Sequence, residues 1–136
     1  MCKNLKSLSV ASGNKTYFSK GNCIINSKTK ELVAGCKNSV IPSDKGITSI
    51  ADLAFEGCLG LKSVKMPPKL KTVKENAFYN TGLMSVTIPV SVKSIGRHSF
   101  GFNVYSEPKG VPGFTVKGSA NSAAQKYAEK NHITCR

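Results

Sequence analysis

The chain predicts a β-rich, right-handed solenoid of short strands, with a β-hairpin insert and a short helix capping its C-terminal end. Three observations predict this. Passages ending on phenylalanine recur as ITSIADLAF at Phe55, LKTVKENAF at Phe78 and VKSIGRHSF at Phe100, at spacings of 23 and then 22 residues. The stretches between them also match, CLGLKSVKMP over 58–67 against NTGLMSVTIP over 80–89. Within each stretch apolar and polar residues alternate before a proline that stops the strand. A period of this size belongs to stacked supersecondary units, because no single unit can bury its own apolar face.

The elements follow in order. CKNLKSLSV places Cys2, Leu5, Leu8 and Val10 where Cys58, Leu61, Val64 and Met66 fall. The sequence thus begins within a repeat, which predicts the C-terminal piece of a longer protein, with Met1 an added start. An apolar repeat edge at Leu5, Leu8 and Val10 predicts self-association. Val10 and Ile41 stand 31 residues apart, and residues 11–40 read as an insert. Its two apolar runs, Cys23 to Ile25 and Leu32 to Ala34, flank the polar NSKTK, a hairpin signal.

Residues 41–100 are the regular repeats. Asp44-Lys45-Gly46 forms a turn before Ile47 and Ile50. Val64 and Met66, or Val86 and Ile88, share the inward face of a strand, with Ser63 and Lys65, or Ser85 and Thr87, outward. The second half of each unit returns with Leu70 and Val73, or Val92 and Ile95, inward beside the phenylalanine. Residues 101–136 hold a Gly- and Pro-rich loop, a last strand with Phe114 and Val116 inward, and a helix over 122–131. Ser122 with Gln125 forms a capping box, and Ala123, Ala124, Tyr127 and Ala128 share one helical face. The whole, 1–136, reads as one domain.

The marks Ala54-Phe55, Gly57-Cys58, Ala77-Phe78 and Ile88-Pro89 resemble the BspA-type leucine-rich repeats of bacterial surface proteins, with Met66-Pro67 and Ser99-Phe100 as departures. The resemblance implies a leucine-rich-repeat solenoid, a hairpin island interrupting the repeats, and an extracellular or bacterial cell-surface location. It is specific for fold and unspecific for ligand.

Composition narrows the partners. The formal charge is +13, and 18 of the 20 basic residues are Lys. Lysine gives long-range attraction to anions without the bidentate phosphate geometry of Arg. No aromatic residues interleave with the basic ones, since the repeated phenylalanines belong to the core, and specific nucleic-acid binding is not expected. No apolar run is long enough to span a membrane.

Catalytic chemistry finds no footing. His98 aligns with Leu53 and Asn76 and reads as a variable surface position, and His132 with Cys135 has no second ligand pair for a metal. No cofactor and no metal is expected. Of the five cysteines, Cys2 and Cys58 hold equivalent packing positions, and Cys23 and Cys36 lie where they could bridge the hairpin.

These readings point to a non-catalytic module binding protein or glycan, adhesin-like, through the outward face of its strands. The contact candidates are Ser7, Ser9, Ser63, Lys65, Ser85, Thr87, Thr115 and Lys117. A structural stalk presenting other domains is the alternative. An electrostatic binder of nucleic acid or anionic wall polymer is the weaker one.

Overall fold

In a computed structural model that describes residues 3–136, the repeated phenylalanines stack ring on ring. Phe55 and Phe78 lie 4.7 Å apart at 7°, and Phe78 and Phe100 lie 4.9 Å apart at 17°. These are parallel aromatic contacts in the favourable distance range. The backbone beside the rings forms its own ladder between units. Phe55 N–H donates to Ala77 C=O at 2.7 Å and Phe78 N–H to Ser99 C=O at 3.0 Å. Gly57 N–H donates to Tyr79 C=O and Asn80 N–H to Phe102 C=O in the same manner. At one end the column rests on Gly35, where a Cβ would fall 2.0 Å from Phe55 Cε1. At the other end Tyr127 meets Phe100 edge-on at 6.2 Å.

Two sheets frame this column. The first has six strands in the order β1 (Tyr17–Lys20), β2 (Cys23–Asn26), β3 (Glu31–Ala34), β4 (Ser49–Ile50), β5 (Thr72–Val73) and β7 (Ser94–Ile95). The second has three, in the order β6 (Ser85–Thr87), β8 (Thr115–Lys117) and β9 (Thr134–Cys135). The first three strands are antiparallel and every later pairing is parallel. Parallel neighbours one unit apart are what a repeat of this length requires, because each must return by a crossover.

The hairpin runs pair as β2 and β3, and the sequence reading missed β1, which precedes them. Lys20 and Cys23 face each other across a two-residue link, with Gly21 at φ 61° and Asn22 at φ 56°. Two successive left-handed residues make the turn type that fits the strand twist. Gly21 is further constrained because Val40 N–H donates to its carbonyl at 2.8 Å and a Cβ would meet Val40 C=O. The insert therefore extends the repeat sheet: β3 continues into β4 in parallel register, Leu32 beside Ile50.

The inward residues behave as their alternation requires. Leu70, Val73, Val86, Ile88 and Val92 are buried with the phenylalanines, and Phe114 and Val116 join them, whereas Val64 and Ile95 are only half-buried. The first halves of the repeats are less regular. Residues 85–87 form a strand, but 63–66 pair with neither neighbour.

Helix α1 (Ala123–Lys130) starts on Ser122, whose hydroxyl accepts Gln125 N–H at 3.4 Å. The Gln125 side chain accepts from Asn121 N–H at 2.6 Å, one residue earlier than a standard capping box. Ala124, Tyr127 and Ala128 are its buried face, and Ala123 is half-buried. After the helix the chain adds β9 beside β8, a strand that sequence reading did not anticipate.

Candidate functional site

The outward residues of the second sheet come together by strand register. Ser85 lies opposite Thr115 and Thr87 opposite Lys117. β9 extends the two rows, placing Thr134 beside Thr115, while Arg136 N–H donates to Val116 C=O at 2.8 Å. Thr134 and Arg136 therefore belong to this face. Their signal was available in ITCR, which alternates as FTVK does over 114–117. Ser85, Thr87 and Lys117 are exposed, and Thr115 is half-covered.

Ser63 and Lys65 stand apart from this ladder. With Val40 they line a groove of about 350 Å³ between residues 39–41 and 63–65. Val40 is 72 % exposed and holds the position that Lys65 and Thr87 hold in later units, one residue before the apolar-Pro pair. It is a contact candidate that the alignment of SVIP with VKMP and VTIP contained. The groove has a firm wall, because buried Ser39 donates to Asn22 C=O at 2.6 Å and accepts Cys36 N–H at 2.7 Å.

Ser7 and Ser9 are exposed at the opposite margin. Their segment is held by side chains: Leu8 N–H donates to Asn22 Oδ1 at 3.4 Å, Val10 N–H to Ser19 Oγ at 3.0 Å, and Asn38 Nδ2 to Lys6 C=O at 3.1 Å. Cys2, aligned with Cys58 in the sequence, lies outside the described residues.

The outer row of the six-stranded sheet is different in kind. Register aligns Glu31, Ser49, Thr72 and Ser94 across it. Ser49 Oγ donates to Glu31 Oε2 at 3.0 Å, Lys74 Nζ reaches the same oxygen at 2.7 Å, and Ser94 Oγ donates to Thr72 Oγ1 at 3.3 Å. The hydrogen bond and charge of Glu31 raise the Lys74 ammonium above its ordinary pKa. This row satisfies itself. By contrast, the hydroxyls of Ser63, Ser85 and Thr87 make no hydrogen bond among the described residues.

His98 corrects the sequence reading of a variable surface position. Its side chain is 17 % exposed, stacks on Phe102 at 4.2 Å, and pairs through Nδ1 with Glu107 Oε1 at 3.0 Å. Burial, with the charge of Glu107 and a hydrogen bond to it, raises the Tyr79 phenol above its ordinary value. Glu107 thus ties the loop after Phe102 to the stack.

Cys23, Cys36 and Cys135 carry free thiols, so Cys23 and Cys36 do not bridge. Burial pushes the Cys23 thiol up to about 11, with a hydrogen bond to Ser39 opposing and Cys36 adding to the rise. Cys58 Sγ donates to Gly35 C=O at 3.7 Å, so this packing position also bonds the backbone of the preceding unit. Among the described residues no three His, Cys, Asp or Glu side chains cluster as metal ligands would, and no helix is long and apolar enough to cross a membrane.

No curated protein and no solved structure matches the chain. The family model described as BspA type Leucine rich repeat region (6 copies) matches residues 24–107, more than half of the sequence. Those residues contain the phenylalanine column, its backbone ladder and the parallel strands β4, β5, β6 and β7. On that match the chain belongs to the BspA-type leucine-rich-repeat family.

Proposed function

We propose that this chain is a non-catalytic binding module of a secreted or cell-surface protein, one domain over 1–136 built as a right-handed leucine-rich-repeat solenoid. Its ligand is a protein or a glycan. The contact surface is the outward face of Ser63, Lys65, Ser85, Thr87, Thr115 and Lys117, with Ser7 and Ser9 at its margin and Val40 in its groove. One observation supports this most. The row of the first sheet containing Glu31 is internally bonded, whereas the hydroxyls of Ser85 and Thr87 on the second sheet, and of Ser63 outside it, are left to solvent or a partner. The isolated chain also self-associates through the edge at Leu5, Leu8 and Val10.

The stalk reading draws on a different observation. The face carries no Tyr or Trp and a single Arg, Arg136, whereas these are the residues that dominate tight interfaces. Binding to an array of glycans and matrix proteins at physiological salt separates the readings. A binding module gives saturable binding that the double variant Lys65→Glu/Thr87→Glu abolishes. The absence of any saturable binding favours the stalk. Binding to every polyanion that collapses with modest added salt assigns the effect to charge alone.

A further inference from the structure

The parallel ladder of the six-stranded sheet ends at β7, and among the described residues no further strand closes that edge. Parallel pairing uses alternate residues. Ser94 N–H donates to Lys71 C=O and Gly96 N–H to Val73 C=O, so these groups face β5. Ile95 between them turns its N–H and C=O the other way, toward α1. In β5 the matching residue, Val73, uses its carbonyl to receive the next unit. Helix α1 packs alongside this edge across a gap, and a helix cannot complete a strand ladder.

The gap between β7 and α1 is a groove. Three adjoining depressions of about 230, 220 and 230 Å³ share Lys93, Ile95, Ala123, Lys126, Tyr127 and Lys130 along their borders. Ile95, Ala123 and the Tyr127 ring supply an apolar floor. Lys93, Lys126, Lys130 and Arg97 supply four cations, and no carboxylate lines any of the three depressions. Glu129, on the same helix, is engaged by Gln125 Nε2 at 2.7 Å.

We infer that this groove docks an acidic peptide in extended form, which adds as a parallel or antiparallel strand to the free edge of β7. The backbone groups at Ile95 provide the strand contacts and the rim of lysines selects for Asp and Glu side chains. Strand addition at an exposed sheet edge draws affinity from main-chain hydrogen bonds and specificity from alternate side chains. The charge is complementary, and a peptide backbone presents its carbonyl and amide at the spacing of a strand partner for the amide and carbonyl of Ile95. This site is separate from the face of Ser63, Lys65, Ser85 and Thr87, so either can fail without the other.

The test is a fluorescence-anisotropy titration of the full chain with a labelled peptide of about nine residues in which Glu alternates with Val, a typical strand length or slightly more. The expected result is saturable binding that weakens as salt rises and drops about tenfold or more in Lys93→Glu/Lys126→Glu, since two complementary charges become repulsive. The same peptide carrying N-methyl groups on all of its backbone amides should bind about tenfold more weakly, because neither of its edges can then donate to a ladder. Equal binding of the methylated peptide overturns the inference, as does no binding at all. Tighter binding of a heparin-like oligosaccharide or a single-stranded oligonucleotide than of the peptide also overturns it. The methylation comparison uses unaltered protein, so it stands even if the charge-reversal variant does not fold.

Discussion

Leu53, Asn76 and His98 occupy the same place in successive units, and all three adopt left-handed backbone, at φ 62°, 54° and 50°. The turn into each phenylalanine needs that conformation, which costs an ordinary L-residue roughly 1–2 kcal/mol and Asn less. From sequence the position reads as freely variable, because three unrelated side chains occupy it. The shared demand lies in the backbone, where residue type leaves little trace. Leu53 is half-exposed, so its side chain adds little burial to offset the strain. Leu53→Asn is expected to raise stability by about 0.5–1 kcal/mol in urea unfolding, the usual gain from relieving such a site. An unchanged or lowered midpoint would count against a strained turn. His98 shows the same limit from the other side, since nothing in its alignment foretold the Phe102 ring or the Glu107 carboxylate beside it.

Among the elements, legibility tracks length. The eight-residue helix was readable from Ser122 and the spacing of Ala124, Tyr127 and Ala128, and the hairpin from its two apolar runs. Strands of two residues carry little period to detect, which is why β4, β5 and β7 could be read only as inward-pointing positions. What the helix does at its docking surface was also hidden. Tyr127 Oη accepts Phe100 N–H at 2.9 Å and donates to Phe100 C=O at 2.7 Å, closing the last rung of the ladder beside the rings. Tyr127→Phe leaves both backbone groups buried without that partner and is expected to cost about 1–3 kcal/mol. Burial raises the Tyr127 phenol above its usual 10.0, the hydrogen bond with Phe100 opposing. A raised value in the folded state means this group's stabilisation is complete below pH 10 and fades as pH climbs past it. Wild type should therefore lose stability above pH 10, and the loss should be smaller in Tyr127→Phe. Parallel pH profiles for the two proteins, measured by denaturant unfolding, would contradict the assignment.

At the scale of the whole molecule, the buried residues and the recognition surfaces obey different rules. The repeated letters are the inward ones, and they announce the stack because close packing tolerates little change at those positions. The outward face is legible only as a set of positions. Alternation points to Ser63, Lys65, Ser85 and Thr87, but the break in pairing at 63–66 that creates the Val40 groove depends on how two units settle against each other. The basic groove beside β7 was still less visible. Lys93 and Arg97 come from one repeat, Lys126 and Lys130 from the terminal helix, and only the fold brings them to one edge.

Everything proposed for either surface rests on the units being held in register by the column of Phe55, Phe78 and Phe100. Phe78 sits in its middle, fully buried between two rings. The most direct test is the unfolding free energy of Phe78→Ala in denaturant. The stacked column predicts a loss of about 3–5 kcal/mol, the range for emptying a buried aromatic site, and a loss below about 1 kcal/mol would contradict it.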